Sequence, residues 1–375
     1  MLMQEVVFAE SRPYTLGVEL EFQIIDQQTL DLVPRAPALL SKVPPSVADR
    51  VTPEFIRSIL EVQTGVCASV SDVNNDLRRS IGLLEKIAAD HNCLLYSASL
   101  HPFAEPADQV LSVGDRYARI LEELQYVGRQ FISQGLHVHV GIPDRDAAIA
   151  VCDVFQVYLP LLLGLSCSSP YFRGEDTGLC SYRTTLFEAL PLAGIAGYLG
   201  SWQAYIDEID LLYRAGIIRE PKDLWWDIRP SPSFGTVEIR ICDLPLKFIE
   251  VLGLTSIIQA FVAAIVEGIV LPRPVSPQLL SANKWQAARH GHAGGFCDPL
   301  GLLPTTTQPV GKAVNELLSL LQPFFDRFDS QGVGAIRALL KGDISAEKQR
   351  QVMKEHGSFS TMITMLQDIY WNDEN

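Results

Sequence analysis

The chain has 375 residues, 47% of them hydrophobic and 20% charged, with a formal net charge of -14. That length and composition suit a soluble globular protein with a large core, and the acidic balance argues against general binding to nucleic acid or anionic membranes. A nucleotide substrate stays open, because a local cation or arginine cluster reverses the field inside an acidic protein.

Reading from the N-terminus, residues 15–25 alternate, with Leu16, Val18, Leu20, Phe22 and Ile24 opposing Glu19, Glu21 and Gln23. Side chains alternate across a strand, so this is a strand with an apolar back and an ionisable front. Residues 33–53 read as a loop with a short helix, and residues 54–64 as a further strand region. Glu54 and Glu61 differ in parity. Glu61 is therefore the better partner for the first strand, and Glu54 joins it only after a bend or bulge.

Ser71 and Asp72 are candidate caps for a helix running to about His91, with Leu77, Ile81, Leu84 and Ile87 as its inner stripe. Residues 93–101 alternate again and predict a fourth strand whose milder front carries Ser97, Ser99 and His101. A helix over residues 115–133 leads to the strand 135–142, where His137 and His139 oppose Leu136, Val138 and Val140. Residues 145–166 form a long apolar helix. The Gly- and Pro-bearing stretch 168–194 is long for a structureless loop and is the candidate lid. After an aromatic, Arg-bearing approach, residues 235–243 place Thr236, Glu238 and Arg240 opposite Val237, Ile239 and Ile241. The remainder is mainly helical, with a Thr/Pro loop at 303–309.

Residues 154–167 and 251–270 are apolar enough to suggest membrane spans. The first is short and holds Pro160, and the second is interrupted by Gln259 and Glu267. Both read as buried helices behind a sheet. Seven scattered cysteines without a C-x-x-C pair, and an N-terminus without a basic and apolar leader, point to reduced thiols and a cytoplasmic home. Parallel sheets are covered and apolar on both faces, whereas these strands have polar fronts. The expected fold is therefore α+β: a curved, mostly antiparallel sheet with an open polar concave face and helices packed on its convex back. Residues 1–375 are expected to form one catalytic domain, 1–300 its core and 301–375 a C-terminal helical part.

Two carboxylates projecting the same way repel unless cations lie between them, and hard divalent ions take oxygen ligands. The co-facial pair His137 and His139 alone would also suit zinc, which keeps a zinc-dependent amidohydrolase as the rival. Glu238 with Arg240 is either a simple ion pair or a phosphate-facing element. No Gly-rich phosphate loop, H-E-x-x-H or G-x-S-x-G occurs. Any nucleotide would be held by metals and arginine.

The segments TLGVELEF, EFIRSILEVQTGVC, LHPF, GLHVHVGI, SPYFRGEDTGLCSYR, DLWWDIRPSPSFGTVEIRICDLP and NKWQAARHG occur in order. In these the chain resembles the bacterial glutamate–cysteine ligase type 2, or carboxylate–amine ligase, family, from about Tyr14 to Pro299. The resemblance implies a core like that of glutamine synthetase and an ATP-dependent ligase forming a γ-glutamyl-type amide through an acyl phosphate. It implies Mg²⁺ or Mn²⁺ held by Glu19, Glu21, Glu61, His137 and Glu238, with Arg240 facing phosphate, and it matches Glu54 to a further acidic position. It also implies contacts to substrate or nucleotide from Arg183, Arg229, Asn283 and Arg289, small carboxylate and amine substrates, and a homodimer. Ser97–Leu100 and the loop after Arg289 depart from the family's usual pattern and bear on the choice of amine.

Overall fold

The computed structural model describes residues 6–372. Seven strands make one sheet: β1 (Leu16–Asp26), β2 (Val51–Pro53), β3 (Ile59–Gln63), β4 (Cys93–Tyr96), β5 (Leu136–Gly141), β6 (Ile228–Ser231) and β7 (Thr236–Ile239). Six of them run in the order β6-β7-β5-β1-β3-β2, β4 pairs with β1 off this path, and every pairing is antiparallel. The long β1 serves three partners. Leu16–Leu20 pair with β5, Glu19–Gln23 with β3, and Gln23–Asp26 with β4.

Alternation sorts the two faces as expected. Leu16, Val18, Leu20, Phe22 and Ile24 of β1, Val138 and Val140 of β5, and Val237 and Ile239 of β7 are at most 1% exposed. Three helices cover this back: Val70–Ala89 lies on β1, β3 and β4, Arg145–Ser166 on β6 and β7, and Phe248–Val266 on β5. The last two are apolar and long enough to cross a membrane, yet 94% and 89% of their most apolar windows are buried inside the fold. Phe155 and Phe261 join them edge to face at 4.8 Å. The chain's last part returns to the same core, where Tyr370 meets Phe22 at 5.9 Å and Phe248 at 6.0 Å. The α+β architecture follows from this two-faced alternation.

Several local expectations are corrected. Ser69, not Ser71, caps the helix Val70–Ala89, in a reciprocal capping box with Asp72. The strand expected over 93–101 stops at Tyr96. The polar residues beyond it are buried and committed to backbone partners: Ser97 donates to the Pro245 carbonyl (2.7 Å), Ser99 accepts from the Leu244 N–H (2.6 Å), and His101 Nε2 lies 2.8 Å from the Leu30 carbonyl. The helix expected over 115–133 ends at Arg129 and is kinked at Gln125, whose φ is 47°. The stretch 168–194 is not structureless. It contains a small hairpin (Tyr171–Phe172 with Glu175–Asp176), a helix (Tyr182–Glu188) and a strand Ala193–Gly194 that pairs with Trp225–Trp226.

Candidate active site

Strand register assembles the ionisable fronts. Arg229 on β6 lies opposite Glu238 on β7, Glu238 opposite His139 on β5, Glu19 opposite His137, and Glu21 opposite Glu61 on β3. Glu54 joins them because the chain bends after β2 ends at Pro53. Its Oε2 then accepts from the Phe55 N–H at 3.0 Å. These residues and Arg240 line one cavity of about 540 Å³ on the sheet's front.

Two overlapping groups of ligand atoms, Glu19–His137–Glu238 and Glu21–Glu61–His137, each lie within 4.8 Å of one another. His137 is common to both. Its Nδ1 lies 3.3 Å from Glu19 Oε2, while its Nε2 is buried with no hydrogen-bond partner. Burial, with the Arg240 charge, pushes this imidazole down to about 4, so it is neutral at neutral pH and keeps a lone pair to donate. His139 differs. Its Nδ1 meets Thr236 Oγ1 at 2.9 Å, its Nε2 lies 3.5 Å from Glu19 and 3.9 Å from Glu238, and those carboxylates outweigh burial and raise its pKa. Among the described residues, neither ligand group contains both histidines. The candidate ligand groups are thus carboxylate-rich sets built around His137 rather than a His137–His139 pair.

The carboxylates fall into two classes. Burial would raise Glu19, but hydrogen bonds from His137 and His139 hold it well below the usual range. Glu238 is 2% exposed, and burial is outweighed there by Arg240 and Arg229, which hold it well below as well. Arg229 Nε donates to Glu238 Oε2 at 2.7 Å, Arg240 Nη1 donates to Oε1, and Arg229 also donates to the Leu224 carbonyl (2.7 Å). On the other side, burial and then Glu61 push Glu21 up to about 7, and burial and then Glu21 push Glu54 up to about 8. Burial, with Glu19 and Glu54, raises Glu61 well above its ordinary value. Three crowded acids whose mutual repulsion and burial outweigh the nearby Arg240 charge, beside an imidazole nitrogen lacking a partner, fit a hard divalent cation.

Not every predicted residue reaches the cavity. Arg183 stands behind it on the helix Tyr182–Glu188, 3% exposed. Its guanidinium donates to the Ile241 and Arg240 carbonyls (both 3.2 Å) and lies 4.6 Å from the Phe187 ring. It therefore shapes the wall without lining it. Asn283 is used structurally, exchanging hydrogen bonds with the Cys297 backbone (2.7 and 3.0 Å), and Arg289 lies near Asp176. Both sit on the helix Pro277–His290, outside the cavity. The supposed lid 168–194 contributes only Phe187 and Leu190. The larger cover is the helix Asp115–Arg129, with Arg116, Tyr117, Ile120, Leu124 and Gly128. Sequence reasoning missed this wall, and an Arg-Tyr pair opening an amphipathic helix was its sole local signal.

The same C-terminal motif holds a residue that was overlooked. Lys284, 3% exposed, donates to Asp227 Oδ2 at 2.6 Å, and the Asp227 carbonyl accepts from the Arg240 N–H at 2.8 Å. Lys284→Met would strand a buried carboxylate beside Arg240. The expected stability loss is about 3–5 kcal/mol in urea unfolding; a loss below about 1 kcal/mol would show that Asp227 does not depend on this partner.

In fold, the chain is similar to two solved ligase structures. The crystal structure of a bifunctional glutathione synthetase from Pasteurella multocida superposes with a TM-score of 0.71 at 15% identity, over 95% of this chain and 52% of that one. This chain thus spans about half the length of that enzyme. A glutamate–cysteine ligase from Francisella tularensis, in complex with AMP, superposes with a TM-score of 0.69 at 13% identity, over 98% and 89% of the two chains. The sequence is more specific. Residues 15–319 match the model of glutamate–cysteine ligase family 2, and the chain belongs to that family. Relatives provisionally named glutamate–cysteine ligase 2 include one from Gloeobacter violaceus, 36% identical over 96% of this chain and 98% of its own, and one from Thermobifida fusca, 35% identical over 96% and 92%.

Proposed function

We propose that the protein is an ATP-dependent carboxylate–amine ligase that joins a glutamate-like carboxylate to an amine through an acyl phosphate. The supporting observation is the single cavity in which His137 Nε2 lacks a partner amid Glu19, Glu21, Glu61 and Glu238, with Arg240 and Arg229 alongside. Family membership and an AMP-bound neighbour of like fold agree with it.

Glu19, Glu21, Glu61, His137 and Glu238 would hold Mg²⁺ or Mn²⁺. When bound, a divalent cation there would offer Lewis-acid stabilisation of charge on the phosphate oxygens. Arg240 carries a fixed positive charge at the same place and would offset charge on the transferred phosphoryl group. Arg229, pinned by two backbone carbonyls, keeps Glu238 ionised and oriented. Transfer to the substrate carboxylate makes an acyl phosphate. The amine then attacks its carbonyl carbon and phosphate leaves. The helix Asp115–Arg129 covers the cavity and would limit access of water to that intermediate.

Glu61→Gln tests the cation role. The divalent-ion concentration for half-maximal ADP release, with glutamate and an amine, should rise about 10- to 100-fold. An unchanged ion requirement would remove Glu61 from the site.

A further inference from the structure

The cavity is charged on its floor; Phe55 and Tyr117 lie beside Glu54 at its edge, and the two ends of β5 and β7 carry aromatic side chains that differ in exposure. At the β6–β7 turn, Phe234 is 67% exposed and meets His139 edge to face at 5.8 Å. At the opposite end of β5 and β7, where Gly135 bridges to Asp243, Phe131 and Phe187 pack edge to face at 4.6 Å. Leu190, 5% exposed, and Ile120 and Leu124 of the covering helix complete that end, where Ile120, Leu124, Phe131 and Phe187 are half-buried against the 67% exposure of Phe234. Phe187 is backed by the Arg183 guanidinium, which is tied in turn to the Arg240 and Ile241 carbonyls. The apolar end is therefore a fixed wall that leaves side chains facing an internal space.

Resting on the ligase reading, we propose that this wall is the seat of the amine's side chain, and that the preferred acceptor is an amine bearing a branched or aromatic apolar group. In-line phosphoryl transfer puts the departing nucleotide on one side of the γ-phosphorus and the attacking carboxylate on the other. The open end, with a solvent-facing aromatic ring, suits a base that must enter and leave. The closed end suits the acyl phosphate, which survives only where water is kept out. An acceptor reaching that acyl carbon lies against Phe131, Phe187 and Leu124, where a polar or very small side chain would leave apolar surface uncovered. In the bond-forming step the amine nitrogen forms the C–N bond, the C–O bond to phosphate breaks, phosphate leaves with the electron pair, and the nitrogen releases a proton to solvent or phosphate.

The test has two arms on the full-length protein. The first supplies ATP, Mg²⁺, glutamate and hydroxylamine and measures hydroxamate, which reports acyl phosphate with no side chain to recognise. The second compares kcat/KM for glycine, alanine, cysteine, leucine and phenylalanine as amines, with product mass as identification. Leucine or phenylalanine should exceed alanine by about tenfold or more, as expected for several buried methylene equivalents. Leu124→Asp, at a half-buried position on the covering helix, should collapse that ratio towards one. Hydroxamate formation with no preference for apolar amines overturns this inference and leaves the ligase reading intact. A Leu124→Asp effect on the KM for ATP with the amine ratio preserved also overturns it, by placing the base at the apolar end. No hydroxamate at all overturns the ligase reading and this inference with it.

Discussion

Arg240→Ala should lower kcat for ADP release by about 100- to 1,000-fold, the usual effect of removing one preorganised charge from a phosphoryl-transfer or acyl-transfer site. Arg240 is half-buried, paired with Glu238 through Nη1, and its Nε–H has no hydrogen-bond partner, so one donor edge of the guanidinium is left for an anion. The substitution also leaves Glu238, 2% exposed, with Arg229 as its remaining arginine. Removing one partner of a buried ion pair costs about 3 kcal/mol or more. Stability and kcat should therefore fall together, and Arg240→Lys separates them. Lysine restores charge without the planar fork, so it should recover much of the stability in urea unfolding and little of the rate. A lysine variant with near-normal kcat would reduce Arg240 to a simple counter-charge for Glu238.

Without divalent ions, thermal stability should fall as pH rises from about 5 to about 8. Glu21 and Glu54 ionise at about 7 and about 8 in the folded protein, against an ordinary value of 4.5, because burial and their neighbours' charge disfavour the anions. Within that window the folded state holds protons that the unfolded state has released, so stability declines with rising pH. Glu19 and Glu238, held low by their cationic partners, have the opposite sign. Their contribution is complete above pH 4.5 and is lost in stronger acid. Mg²⁺ or Mn²⁺ at a hundred times Kd should then raise the midpoint by about 5 °C at pH 8, and by less at pH 5, where protons compete for the same oxygens. Calorimetry at both pH values, with and without EDTA, measures this. A metal-free protein that gains stability from pH 5 to 8, or an ion effect independent of pH, would show that the acids are not a cation site.

The strand fronts were legible because alternation is local. A period of two puts Glu19 with Glu21, and Glu238 with Arg240, on one face wherever the strand lies. The same logic ranked Glu61 above Glu54, and the bend after Pro53 shows why parity alone was insufficient: it holds only within an unbroken strand. His137 and His139 share a face and looked equivalent. Their difference comes from cross-strand neighbours, Thr236 and Glu238 for one and Glu19 with an empty-handed Nε2 for the other. Arg183, Asn283 and Arg289 sat in recognisable segments, but a segment can be matched for packing. Asn283 braces the fold away from the cavity, Arg289 lies outside the cavity near Asp176, and Arg183 braces the cavity wall from behind.

By itself, then, the sequence determined the two-faced strands, the apolar helices behind them, the family, and the charged floor of the site. The strands, helices and charged floor follow from hydrophobic periodicity and side-chain type, which act over a few residues, and the family follows from its motifs standing in order along residues 15–319. Only the tertiary structure decided which strands are neighbours, which histidine keeps a free nitrogen, that Glu54 joins the acids, and that the helix Asp115–Arg129 rather than the 168–194 segment covers the cavity. Each of those depends on contacts between residues tens to hundreds of positions apart. Such contacts are selected by the burial and hydrogen bonding of the whole chain, and no local pattern encodes them.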